Sequence, residues 1–210
     1  MEAFVRMTAV AAPLVRANID TDIIIPSREM KSVSKTGLKD GLFAGWRYTA
    51  VGGRDPKPDF VLNQPEYAGV GILLAGENVG CGSSREHAVW ALHEYGFRAV
   101  IAPSFNPIFY NNCVRNGLCP VILPADVVAA IAAQVEADPA NAKVTVDLEA
   151  QKVTAPDGSE YGFTLNNEED RIALLNGYDA VDLTLLHKEA IDAFIAGDRG
   201  QRPWVYLQSA

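Results

Sequence analysis

Apolar and polar positions alternate along this chain in patterns that change character three times. Residues 69–75 form a short apolar run with the length of a buried strand. In the next segment, residues 84–95, Ala88, Ala91, Leu92 and Tyr95 fall at i, i+3, i+4 and i+7, one face of a helix that Gly96 can end. Residues 98–102 read as a strand, 105–115 as a helix closed by Asn116-Gly117, 118–123 as a strand and 125–137 as a helix. Strand–helix–strand order of this kind predicts right-handed crossovers on a largely parallel sheet. Beyond residue 143 the period falls to two: Val144, Val146 and Leu148 alternate with Thr145 and Asp147. With residues 152–154, the turn Pro156-Asp157-Gly158-Ser159 and residues 161–165, this predicts a small antiparallel meander. Helices are expected at 167–175 and 185–196.

The N-terminal third is less regular. Residues 4–15 are β-rich and lead into the turn formers Asn18-Ile19-Asp20-Thr21-Asp22, then Ile23-Ile24-Ile25, stopped by Pro26. Periodicity fades from 27 to 65, which reads as a long irregular excursion of the kind that carries function or mobility. No fixed-period repeat or low-complexity tract breaks the chain, so residues 1–210 are expected to form a single α/β domain. Residues 27–65 are the excursion and 143–210 the β meander with terminal helices.

Composition narrows the function. A 210-residue chain that is 49% hydrophobic and 21% charged can bury a core and is not a disordered segment. Its formal charge of −8 argues against general binding to nucleic acid or anionic membrane, and leaves an acidic ligand to local arginines. Cys81, Cys113 and Cys119 make an odd set without a C-x-x-C pair, so neither a disulfide framework nor a zinc site is signalled. The first residues lack a signal-peptide pattern, and no apolar run approaches a membrane span. A cytoplasmic protein is the expectation.

The strongest local motif is Gly80-Cys81-Gly82-Ser83-Ser84-Arg85-Glu86-His87, where a buried strand runs out through glycines into a helix start. Glycines permit tight turns and close ligand approach, a helix N-terminus favours anions, and Arg85 can clamp a carboxylate. The same residues also match a capping box, with Ser83 as N-cap and Glu86 at N3. The turn is neither a P-loop, for want of Gly-Lys-Ser/Thr, nor a Gly-x-Ser-x-Gly elbow. Asp20 and Asp22 read either as turn formers or as an acid/base or metal pair. In the third segment, 102–113, Phe105, Ile108, Phe109 and Cys113 would line an apolar helix face that also carries Asn112. His87 and His93 are six apart, a spacing that disfavours a shared metal on one helical face.

Taken together, residues 18–26, 76–88 and 102–120, with the closing Arg202-Pro203-Trp204, resemble the 3-isopropylmalate dehydratase small-subunit family, a branch of the aconitase family. The resemblance runs in order through nearly the whole chain, and Gly-Ser-Ser-Arg-Glu-His is specific to that family. It implies a swivelling β/β/α domain with a mostly parallel sheet core, antiparallel β additions and C-terminal helices. It further implies that this chain binds no cofactor itself, and that the [4Fe–4S] cluster sits on a partner, the large subunit, in a heterodimer or higher assembly. By the family pattern Ser83 is the catalytic base that takes a proton beside a carboxylate. Ser84 and Arg85 hold a carboxylate of a small dicarboxylate substrate, Asp22 supports the site, and Arg28 is the nearest candidate for a further carboxylate-binding arginine. The implied reaction interconverts 2-isopropylmalate and 3-isopropylmalate by loss and return of water, in leucine biosynthesis. Residues 27–45 would then read the substrate's side group, with Met30, Val33, Leu38 and Leu42 as an apolar wall. Two alternatives stay open at this point: a small subunit for another hydroxy-diacid, of the homoaconitate or methylmalate type, and a non-catalytic carboxylate-binding module.

Overall fold

The structure is a computed structural model and describes residues 1–30 and 34–206. Seven strands form one mixed sheet in the order β4-β3-β2-β1-β5-β6-β7. Its pivot is β1 (Arg6–Leu14), which changes partner halfway along. Arg6 to Val10 pair antiparallel with β5 (Lys143–Asp147), whereas Ala11 to Leu14 pair parallel with β2 (Ile72–Ala75). The parallel half continues through β3 (Ala99–Ala102) to β4 (Cys119–Ile122), and the antiparallel half through β6 (Lys152–Thr154) to β7 (Glu160–Gly162). The expected parallel core with antiparallel additions is present, and the additions contribute as many strand pairings as the core.

Burial explains each strand's composition. All four residues of β2 and of β3 are fully buried, as befits central strands covered on both faces. Pro120 sits in β4, at the sheet edge, where its missing N–H costs no ladder bond. The chain steps from β2 through α3 (Glu86–Tyr95) to β3, and through α4 (Pro107–Arg115) to β4, always in one direction, so right-handed crossovers place both helices on the same face. Helix α5 (Ala125–Ala137) returns against β1, β2 and β3, burying Val128, Ile131, Ala132 and Val135 at helical spacing.

The excursion is irregular, as expected, yet it is packed. The short helix α1 (Thr21–Ile24) precedes it; the excursion itself contains the short helix α2 (Ala44–Arg47) and several single 3₁₀ turns, and it buries Leu38, Leu42, Phe43, Phe60 and Leu62 in the main core. Leu38 and Leu42 therefore cannot form the apolar wall expected of them. Phe43, held in the left-handed region, turns that segment inward and stacks on Trp46. Met30 stays partly exposed, and Val33 lies outside the described residues.

Further departures have local causes. The helix expected over 185–196 is present as α8 (Lys188–Gln201), and a further helix not expected, α7 (Ala180–Leu185), precedes it, started by a capping box between Asp179 and Asp182. Ile108 is 51% exposed rather than part of an apolar face, because α4 turns Phe109, Tyr110, Cys113 and Val114 inward. Helix α6 (Glu168–Asn176) occupies its expected place, capped by Asn167. Among the described residues no helix is long and apolar enough to cross a membrane.

Candidate functional site at the carboxyl edge of the parallel strands

Three loops leave the carboxyl ends of β1, β2 and β3, the edge at which open α/β sheets bind ligands. Backbone bonds knit them together. The Gly76 N–H donates to the Arg16 carbonyl (3.0 Å), Asn18 to Glu77 (2.8 Å), Gly80 to Ile19 (2.7 Å), and Val79 to Ser104 (3.1 Å). Side chains reinforce the joint: the Asn78 Nδ2 donates to Asn18 Oδ1 (2.8 Å), and the Asn78 N–H to Ser104 Oγ (2.8 Å). The Ser83 turn is thus mounted on rigid strands rather than on a free loop.

Two glycines make its path possible. Gly80 has φ +74°, and an added Cβ would lie 2.0 Å from Cγ of Phe109. Gly82 has φ +95°, outside the range that side-chain-bearing residues adopt easily. Between them Cys81 accepts the Thr21 N–H at its carbonyl (2.9 Å), which docks α1 beside the turn.

Thr21, only 2% exposed, is the tie that the sequence did not single out. Its hydroxyl donates to the Ser83 carbonyl at 3.0 Å and lies 3.4 Å from Ser83 Oγ. The Ser83 carbonyl also accepts the Arg85 N–H at 2.8 Å, so a tight turn is fixed from two sides. Nothing in composition distinguishes Thr21 from neighbouring turn formers; a buried threonine hydroxyl becomes visible only once α1 is docked on the turn.

The expected capping box does not form. Arg85 is the N-cap of α3, in extended conformation and without a side-chain cap bond, and Glu86 is the first helical residue. The Glu86 carboxylate instead accepts Asn116 Nδ2 at 2.8 Å. Ser83 and Ser84 therefore stand ahead of the helix, exposed, with no capping duty. The α3 N-terminus lies just behind them and favours negative charge at the turn. The Arg85 guanidinium is ion-paired with Asp22, so the structure brings Ser83, Ser84, Arg85 and Asp22 together. Arg28 is not joined to them by a direct bond; its guanidinium lies 3.5 Å from Glu29, a buried acid that also holds Arg54 at 2.6 Å.

The remaining candidates have other surroundings. Burial, aided by the Asp20 carboxylate, pushes the Cys81 thiol up, which keeps it protonated near neutral pH. Cys113 and Cys119 are wholly buried and their thiols are pushed far up. Asp20 caps α1, accepting the Ile23 N–H at 2.7 Å, which is the turn-forming role. His87 packs on the Trp90 ring. Among the described residues no group of three or more His, Cys, Asp and Glu side chains is placed to hold a metal ion.

One concavity lies elsewhere, between α4, α6, α7 and the N-terminus, lined by Asn111, Tyr178 and Leu183. At the Ser83 turn, two hydroxyls, an arginine and a helix start can bind a carboxylate, and both serines are exposed.

Comparison with known proteins gives this geometry a context. A family model described as the aconitase C-terminal domain matches residues 1–126, and one described as LeuD_N matches residues 129–166. The chain is 60% identical to the 3-isopropylmalate dehydratase small subunit of Cupriavidus necator over 207 residues, 99% of each chain. It is 51% identical to the protein of the same name from Rhodospirillum centenum, covering 97% of this chain and 98% of that one. Among solved structures it resembles 3-isopropylmalate dehydratase (leuD) from Methanocaldococcus jannaschii, with a TM-score of 0.64 and 27% identity, over 90% of this chain and 98% of that chain.

Proposed function

Because the chain belongs to the 3-isopropylmalate dehydratase small-subunit family of the aconitase group, we propose that its Ser83 turn is the proton-transfer half of a hydro-lyase site completed by a large subunit. The protein is the small subunit of a two-subunit enzyme that interconverts 2-isopropylmalate and 3-isopropylmalate in leucine biosynthesis. In this reading residues 1–210 act as one swivelling domain that closes over the partner. The carrying observation is the pinned Ser83-Ser84-Arg85 turn beside Asp22, with both serines exposed.

Each residue then has a chemical task. Arg85 and the Ser84 hydroxyl bind one substrate carboxylate, with Asp22 holding the guanidinium in orientation. Ser83 Oγ takes a proton from the carbon beside that carboxylate as the hydroxyl leaves the neighbouring carbon, giving an unsaturated diacid. Water returns to the carbon that lost the proton, and Ser83 gives a proton back to the other. Arg85 and the helix start stabilise the oxygen anion on Ser83 before it takes the proton and again once it has returned it. Arg28 is the candidate for the second carboxylate, and the excursion it belongs to reads the side group. In this assignment the [4Fe–4S] cluster belongs to the large subunit, and when bound it supplies Lewis acidity toward the substrate hydroxyl.

The test is Ser83→Ala in a pair reconstituted without oxygen. The expected result is a kcat lower by about a thousandfold, with substrate affinity nearly unchanged, as for loss of a general base. Normal turnover by that variant would remove Ser83 from the role of base. A panel of 2-hydroxy diacids run on the wild-type pair identifies the preferred substrate.

A further inference from the structure

Glu94 occupies the last turn of α3, where a carboxylate meets the negative end of the helix dipole and is disfavoured. Three backbone N–H groups of the excursion offset that cost. Gly37 donates to one carboxylate oxygen at 2.7 Å, and Leu38 and Lys39 donate to the other at 2.5 and 3.0 Å. These amides open the 3₁₀ turn Lys39–Gly41, which has no side-chain cap from its own N-cap residue. Glu94 therefore caps, from another element, a segment that would otherwise leave its donors to water.

A second fastening lies one turn back along the same helix. The Lys35 ammonium sits 5.2 Å above the Trp90 ring and 3.3 Å from Asn116 Oδ1, and that oxygen also accepts Trp90 Nε1 at 3.0 Å. Residues 37–39 lie at Glu94 and residue 35 at Trp90. Followed toward lower numbers, the limb thus runs toward the N-terminal end of α3, which carries Arg85. From Arg85 to Glu94 is about 13 Å of rigid helix. The excursion and the carboxylate-binding arginine consequently share one reference frame.

We propose that Glu94 is a positioning residue for substrate discrimination: by fastening the 37–39 amides to α3 it sets where the excursion stands relative to Ser83 and Arg85. This rests on the reading that the excursion recognises the side group of the substrate. Glu94 touches no reacting atom, so its loss acts on fit and not on the proton transfer. A merely structural role would lower stability and spare the selectivity.

The experiment compares wild type, Glu94→Gln and Glu94→Ala in the complex with the large subunit. The substrates are 2-isopropylmalate and the analogue with methyl in place of isopropyl, and amide exchange at Gly37 to Lys39 is followed on the same samples. For Glu94→Ala the expected result is rapid exchange at these amides, a KM for 2-isopropylmalate raised about tenfold, a similar loss of preference over the methyl analogue, and kcat within about twofold of wild type. The nearly isosteric Glu94→Gln, which keeps one acceptor oxygen, shifts the same quantities in the same direction by less. Unchanged exchange overturns the fastening. Released amides with unchanged KM and selectivity overturn the positioning role, as does a fall in kcat without a change in KM. A wild-type pair inactive on both diacids would instead defeat the proposed function, while exchange in the free chain would still decide the fastening.

Discussion

Thr21 shows how a single hydroxyl can govern a site it does not belong to. It is buried, and its bond to the Ser83 carbonyl is one of the two that hold the turn. Thr21→Val keeps the shape and removes the tie, so stability should change by only about 1 kcal/mol. Ser83 Oγ, however, would lose its placement, and kcat of the reconstituted pair should fall roughly 10- to 100-fold, as small misplacements do. Thermal melts and initial rates measured together check this; equal losses in both would mean Thr21 is only packing. Gly80 gives the opposite pattern. Gly80→Ala forces a Cβ into the Phe109 ring at a positive φ, and should cost about 2 kcal/mol or more, lowering Tm by roughly 4–8 °C. A variant as stable as wild type would refute the close approach of turn and α4. Ser83, Ser84, Arg85 and Asp22 were all legible as a motif, because turn chemistry and charge are local properties. Thr21 was not, since its partner lies 62 residues away in the chain.

At the scale of elements, helix α3 is the part that links site and excursion. Burial acts to raise the Glu94 pKa, but the Gly37, Leu38 and Lys39 N–H groups and the Lys39 charge outweigh it, and the net shift is downward from 4.5. A carboxylate depressed in the folded state adds stability above its unfolded pKa and loses it as pH falls through the lower folded value. Exchange protection of the 37–39 amides should therefore be full above about pH 5 and decline as pH drops below about 4.5, with no such decline in Glu94→Gln. Exchange measured between pH 3 and 6 decides it, and an identical profile in both proteins would sink the linkage. Asn116 is the second junction, giving its amide to Glu86 and to the Asn112 carbonyl and accepting from Trp90. Asn116→Ala should cost about 1–3 kcal/mol by leaving these groups partly unpaired. The helix and strand positions of the parallel core followed from periodicity, whereas α1, α2 and α7 did not. Nor did the start of α3: a Ser-Ser-Arg-Glu string fits a capping box, yet the N-cap is Arg85, and the Ser83 carbonyl is held by Thr21.

For the whole molecule the decisive fact is that Ser83 and Ser84 stand exposed at the carboxyl edge of the parallel strands. The isolated chain should accordingly show no hydro-lyase turnover and at most weak, millimolar-range binding of small dicarboxylates, since few of the ligand's atoms can be enclosed. Adding the large subunit should restore turnover, saturating as the pair forms. An activity assay with increasing large subunit checks this, and turnover by the chain alone would refute a half-site. The switch of β1 between partners is the architectural counterpart. One strand joins the parallel half, which carries the site, to an antiparallel half that carries none of the Ser83-turn residues.

What this sequence determined by itself were the features set by neighbours in the chain. These are the strand and helix periods, the glycines that let the turn form, and a Gly-Ser-Ser-Arg-Glu-His string specific enough to indicate a family. Tertiary structure decided everything that depends on distant partners. It buried Leu38 and Leu42, which the family resemblance had offered to a ligand, and exposed Ile108, which helical spacing had placed inside. It released Ser83 from capping, set Asp22 on Arg85, and gave Glu94 three amides from a segment more than fifty residues away. The physical reason is common to all of these. Hydrogen-bond partners and burial are properties of the packed chain, and a pattern along the sequence can report only the period with which residues face the core.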